Sequence, residues 1–86
     1  MQPGDPRADP TIVDLIELAG LWVAAGDWAA LLQTLRRLDE EISRRFPGEA
    51  EFAERFRALQ QMVAVADDDA LMAEEIRRIY RQATVG

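Results

Sequence analysis

The segment from Trp28 to Phe46 constrains the fold of this chain more than any other part of the sequence. Its apolar residues recur at intervals of three and four and so form one stripe along a helix: Trp28, Leu31, Leu32, Leu35, Leu38, Ile42 and Phe46. The other side of that helix carries two charged rows, Arg36, Glu40 and Arg44, and Arg37, Glu41 and Arg45. A helix with one apolar stripe must bury that stripe against a neighbour, so the pattern predicts a helical bundle.

Helix boundaries on either side of this segment are marked by capping residues. Asp9 is placed to cap a first helix, and Pro10 suits the first helical position because its missing N–H is not needed there. Gly26 follows the last residue of that helix, as expected for a left-handed terminator. Asp27 is placed to cap the second helix, which should end at Pro47–Gly48.

Two further helices are predicted, over about 49–66 and from the aspartates 67–69 to about 83. Their apolar stripes are Phe52, Phe56, Leu59, Val63 and Ala66, and Met72, Ile76, Ile79, Tyr80 and Ala83. The predicted fold is therefore all-α, an antiparallel bundle of three to four helices built from two helical hairpins, with the first helix central. Residues 1–8 are predicted to be a flexible tail, 9–83 a single domain and 84–86 a frayed end.

The residue types that the sequence lacks argue against an enzyme. It contains no Cys and no His. It also contains no Lys, since all ten basic residues are Arg. The commonest nucleophiles, general bases and transition-metal ligands are therefore missing. Asp67, Asp68 and Asp69 are consecutive and point in different directions, which favours a helix cap over a cation site. We predict no catalytic, cofactor-binding or metal-ligating residues, and no cofactor.

Charge and hydropathy restrict the class of partner. The formal net charge is −6, which disfavours binding to nucleic acid or to anionic membranes. The longest apolar stretch, residues 12–25, is interrupted by Asp14 and Glu17 and is too short to cross a bilayer. No signal-peptide pattern opens the sequence, so we expect a cytoplasmic protein that binds another protein or itself.

The first helix supplies four of the five candidate binding residues, because it is apolar around most of its circumference, and Trp28 at the start of the second helix is the fifth. Such a helix is either central in a bundle or exposes an adhesive face. Five residues are candidates for a partner surface: Leu18, Leu21, Trp22, Ala25 and Trp28. For Trp22 the core and a partner surface are equally good interpretations, and for Trp28 packing at the end of the hairpin is favoured.

In the segment "LIELAGLWVAAGDWAALLQTLRRLDEEI", from Leu15 to Ile42, a Leu/Ala-rich helix leads into Gly26–Asp27–Trp28 and then into the helix with the leucine stripe. On this segment and the one that follows it, residues 15–81 resemble the FliT-like family of flagellar export chaperones. The later "ERFRALQQMVAVADDDALMAEEIRRIYRQ" has the family's layout of a third helix and a shorter last one, although the acidic break at 67–69 departs from it. The resemblance implies a cytoplasmic chaperone or adaptor that holds an amphipathic segment of a secreted flagellar subunit.

Two other functions fit the same residues. The apolar face of the first helix could close a symmetric homodimer, which would make the chain a small structural subunit of a larger complex. The chain could also be an interaction domain of a signalling protein, with its Pro-containing start as a linker.

Overall fold

Four α-helices account for most of the chain. The computed structural model describes residues 5–66 and 70–85. The helices are α1 (Pro10–Ala25), α2 (Trp28–Arg45), α3 (Ala50–Ala64) and α4 (Ala70–Val85), and no strand occurs within the described ranges. The predicted all-α class is confirmed. Asp67, Asp68 and Asp69, which we assigned to a helix cap, lie outside the described residues.

Aspartate caps and one glycine set the first two helices apart, as predicted. The Asp9 carboxylate accepts a hydrogen bond from the Ile12 N–H at 3.1 Å and starts α1. Gly26 has a φ of 71°, a left-handed conformation that disfavours any residue with a Cβ. The Asp27 carboxylate accepts from the Ala30 N–H at 3.2 Å and starts α2 directly afterwards.

Long-range contacts fix the direction of neighbouring helices. Arg45 near the end of α2 donates to the Asp9 carboxylate before α1 at 2.7 Å, so α1 and α2 are antiparallel. Arg57 in α3 donates to Asp39 in α2 at 2.9 Å. That hydrogen bond and the charge of Asp39 raise the pKa of the exposed Arg57 guanidinium. The fourth helix packs against α3 and also contacts α1, which closes the bundle.

The core consists mainly of the predicted stripes of α2 and α3. The buried side chains of these two helices are Leu31, Thr34, Leu35, Leu38, Ile42, Phe52, Ala53, Phe56, Leu59 and Val63. The rings of Phe52 and Phe56 meet edge to face with their centroids 5.1 Å apart. The hydroxyl of Thr34 donates to the Ala30 carbonyl within its own helix, so its burial leaves no unsatisfied polar atom.

The prediction that the first helix is central is wrong. Only Ile12, Ala19 and Val23 of α1 are buried, whereas α2 buries five residues along most of its length. The apolar residues of α1 point in nearly all directions, but its neighbours α2 and α4 can cover only part of its circumference. Leu15, Ile16 and Trp22 are partly covered and pack against the core, whereas Leu18 and Leu21 face outward.

Helical structure extends slightly beyond the predicted helix boundaries at both ends of the described chain. Pro6–Ala8, which we assigned to a flexible tail, form a 3-10 turn in which Pro6 is buried. The Arg7 guanidinium lies 4.5 Å from the centre of the Phe52 ring, a cation–π contact that connects this turn to α3. At the other end, α4 continues to Val85 instead of ending near Ala83.

Candidate binding surface

An apolar row lies along the outward face of α1. Leu21 is 65% exposed, Leu18 is 38% exposed, and Ala25 is also exposed. These residues are separated by three and four positions and therefore lie on one side of the helix, opposite the buried Ile12 and Ala19. We call Leu18, Leu21 and Ala25 the α1 row.

The two tryptophans among the candidates occupy a different environment. Trp22 and Trp28 are both half-buried and pack against the hydrophobic core. Trp22 is four residues from Leu18 but turned toward the interior, so only part of its ring is accessible beside the α1 row. The structure thus brings together three of the five candidate residues as an exposed surface and gives the tryptophans a role in packing.

A cleft of about 680 Å³ lies at the end of the bundle where α1 turns into α2. Its walls include Trp28, Leu32 and Val65, which is the C-cap residue of α3 and is 69% exposed. The predicted apolar stripes include neither Val65 nor Leu71, which is 78% exposed. Both residues lie off the three-and-four stripes of α3 and α4, so helical periodicity alone could have identified them as outward.

Tyr80 of α4 packs against the side of α1 that lies next to α4. Its hydroxyl donates to the Ile16 carbonyl, and it lies against Gly20, where an added Cβ would be 3.3 Å from the hydroxyl oxygen. Burial raises the pKa of Tyr80 to about 12, the backbone hydrogen bond with Gly20 opposes this, and the charge of Glu17 adds to it. The close approach at Gly20 lets α4 cover this side of α1, which leaves the α1 row as the uncovered side.

The charges on α1 are all acidic. Asp14 and Glu17 are the ionisable residues within the helix, and both are exposed. Across the described residues 5–66 and 70–85, no group of three or more His, Cys, Asp or Glu is arranged to hold a metal ion. Within the same ranges, no helix has the length and apolar character needed to cross a membrane. The feature that distinguishes this surface is therefore its exposed apolar area.

Comparison with protein-family models, curated proteins and solved structures gives no match for this chain.

Proposed function

We propose that this chain is a non-enzymatic protein-binding module and that the α1 row is its contact surface. The observation that carries the proposal is the exposure of Leu21 and Leu18 side by side on a helix whose opposite face is buried. Burying an exposed leucine side chain stabilises a complex by about 2 kcal/mol. Apolar side chains that are fully desolvated at the centre of an interface contribute more to binding than those at its solvated rim.

The partner segment that fits this surface is an amphipathic helix. An exposed ridge with residues at i, i+3 and i+7 matches the spacing of apolar side chains on a second helix. A helix lying along α1 would place its apolar stripe on the α1 row and reach the groove between α1 and α2. The groove contains Leu15 and extends the apolar contact.

The more specific role that we propose is a cytoplasmic export chaperone or adaptor. Its client would be an amphipathic segment of a secreted protein, and the resemblance of residues 15–81 to FliT-like proteins makes a flagellar subunit the first candidate. The exposed apolar helix is consistent with holding a segment that cannot bury its own apolar stripe before assembly.

The proposal is tested by capturing partners from the native lysate with tagged wild-type protein and with Leu21→Asp. Because Leu21 is largely exposed, the substitution should leave the fold intact and remove the partners that bind the α1 row. Leu71→Asp is the matched control, since it introduces the same charge at an exposed leucine on α4. Circular dichroism confirms that both variants remain helical.

The outcomes separate the general proposal from the specific one. A secreted flagellar subunit that is lost with Leu21→Asp and kept with Leu71→Asp would support the chaperone role. Another partner with the same dependence on Leu21 would support a binding module of a different pathway. If both variants capture the same proteins as the wild type, the α1 row is not the contact surface.

A further inference from the structure

The groove beside the α1 row has one unpaired charge on each rim. Asp14 of α1 and Arg37 of α2 line this groove of about 380 Å³ together with Leu15, Leu18 and Gln33. Both charged residues are exposed, and neither forms an ion pair with any described residue. An acid and a base thus line the same groove, which also contains Thr11 and Thr34, without pairing with each other.

The other charges near the groove are already engaged or point elsewhere. Asp9 is bound by Arg45, and Glu41 is bound by Arg44 and Arg45. Glu17, the other acid of α1, lies toward Tyr80 on the α4 side. Asp14 and Arg37 therefore determine the charge pattern that a partner in this groove would meet.

We infer that the groove and the α1 row bind a second copy of this chain in a symmetric dimer. This surface has an acid on one rim and a base on the other. A second copy, rotated by 180° about a suitable axis, therefore places its acid opposite the base of the first copy and its base opposite the acid. If the axis runs parallel to the helices, α1 of each copy lies over α2 of the other. Asp14 then faces Arg37 of the second copy, and the symmetry makes this pair twice.

The charge pattern also favours one of the two possible directions of the two-fold axis, parallel to the helices or across them. An axis across the helices would lay α1 over α1 and bring Asp14 toward Asp14 of the second copy, where like charges repel. The parallel arrangement avoids this repulsion. It also places Leu18 and Leu21 over the small and polar side chains Ala30 and Gln33 on the outer side of the other copy's α2.

This inference goes beyond the proposed function, but the dimer uses the same α1 row that would receive a client. A client helix and a second copy would therefore compete for the surface. Dimerisation would cover the row when no client is present and would prevent its non-specific association.

The test is sedimentation equilibrium of the full chain over roughly 1–200 µM, the range of weak to moderate self-association. Wild type should pass from monomer to dimer as its concentration rises. Asp14→Arg and Arg37→Asp each turn both attractive contacts into repulsive ones. Because two pairs change sign at once, each variant should associate roughly tenfold more weakly than wild type.

An equimolar mixture of the two variants provides the decisive measurement. In a mixed dimer, the arginine introduced at position 14 of one chain faces the aspartate introduced at position 37 of the other. In the second contact, the native Arg37 of the first chain faces the native Asp14 of the second chain. Both contacts are again attractive, so the mixture should recover association close to that of wild type. Recovery on mixing requires contacts between chains, since no contact within one chain would be restored.

Arg36→Asp and Glu40→Arg are matched controls, because they change the net charge by the same amounts at exposed positions of α2 outside the groove. Neither should weaken association by more than about twofold. Wild type that remains monomeric, or a mixture no stronger than its components, would overturn the inference. Loss of the dimer with retained Leu21-dependent capture of a foreign protein would leave the proposed function standing, and the reverse result would overturn only that function.

Discussion

Tyr80 is the only side chain of this sequence whose ordinary pKa lies near 10. The chain has one tyrosine, no Lys and no Cys. An alkaline titration therefore reports on one contact between helices, the one in which the Tyr80 hydroxyl donates to the Ile16 carbonyl. Few proteins allow such a direct reading, because lysines normally titrate in the same range.

We expect the stability of the protein to fall as the pH rises from 10 to 12. The unfolded chain loses the Tyr80 proton near 10, whereas the folded protein retains it to about 12, so the unfolded state binds fewer protons in this interval. Urea unfolding at a series of pH values measures the decline, and the phenolate absorbance locates the folded pKa.

The variant Tyr80→Phe supplies the control for that decline. It removes the hydroxyl, should cost about 1 kcal/mol at neutral pH, and should abolish the loss of stability between pH 10 and 12. A variant that declines as steeply as wild type would show that the alkaline transition does not belong to Tyr80.

At the scale of the individual helices, some features of the structure could be predicted from the sequence and others could not. The boundaries at Asp9, Gly26 and Asp27 were predictable because capping is a local interaction between a side chain and the next turn of backbone. The inward face of α2 was predictable because its apolar residues occupy a single stripe. The outward side of α1 was not, because its apolar residues surround the helix and only the positions of α2 and α4 decide which are covered.

The exposed surface of α1 could therefore be predicted only in part. Leu18, Leu21 and Ala25 do share an exposed face, but the packing of Trp22 and the groove between Asp14 and Arg37 depend on where α2 lies. No pattern within one helix contains that information. Residues that define the groove are 23 positions apart in the sequence and become neighbours only after the hairpin has formed.

The start of α2 can be tested at the level of the element. Asp27→Ala removes the side-chain acceptor of the Ala30 N–H and should destabilise the protein by about 1 kcal/mol, which lowers Tm by roughly 4–8 °C in a domain of this size. Asp27→Asn retains an acceptor oxygen and should lose much less. Thermal unfolding followed by circular dichroism distinguishes them, and equal Tm values for Asp27→Ala and wild type would contradict the assigned cap.

At the scale of the whole molecule, one small core holds all four helices together. Buried residues from every helix form a single cluster, from Ile12 in α1 to Ile76 in α4. A domain of this size is stabilised by only about 5–10 kcal/mol, so the loss of one central contact affects every element. We expect unfolding to be a single cooperative transition despite the exposed apolar surface on α1.

Leu35→Asp tests this expectation, because Leu35 is fully buried in the middle of α2. A carboxylate there has no cationic partner in the core, and its burial costs several kcal/mol, enough to unfold most of the molecules at room temperature. Arg36→Asp places the same residue one position further along, on the exposed side, and should change stability by less than about 0.5 kcal/mol. Circular dichroism should show loss of helix throughout the Leu35→Asp chain and none in the Arg36→Asp chain. Retention of α3 and α4 in Leu35→Asp would mean that the two hairpins fold independently and that the bundle is not one cooperative unit.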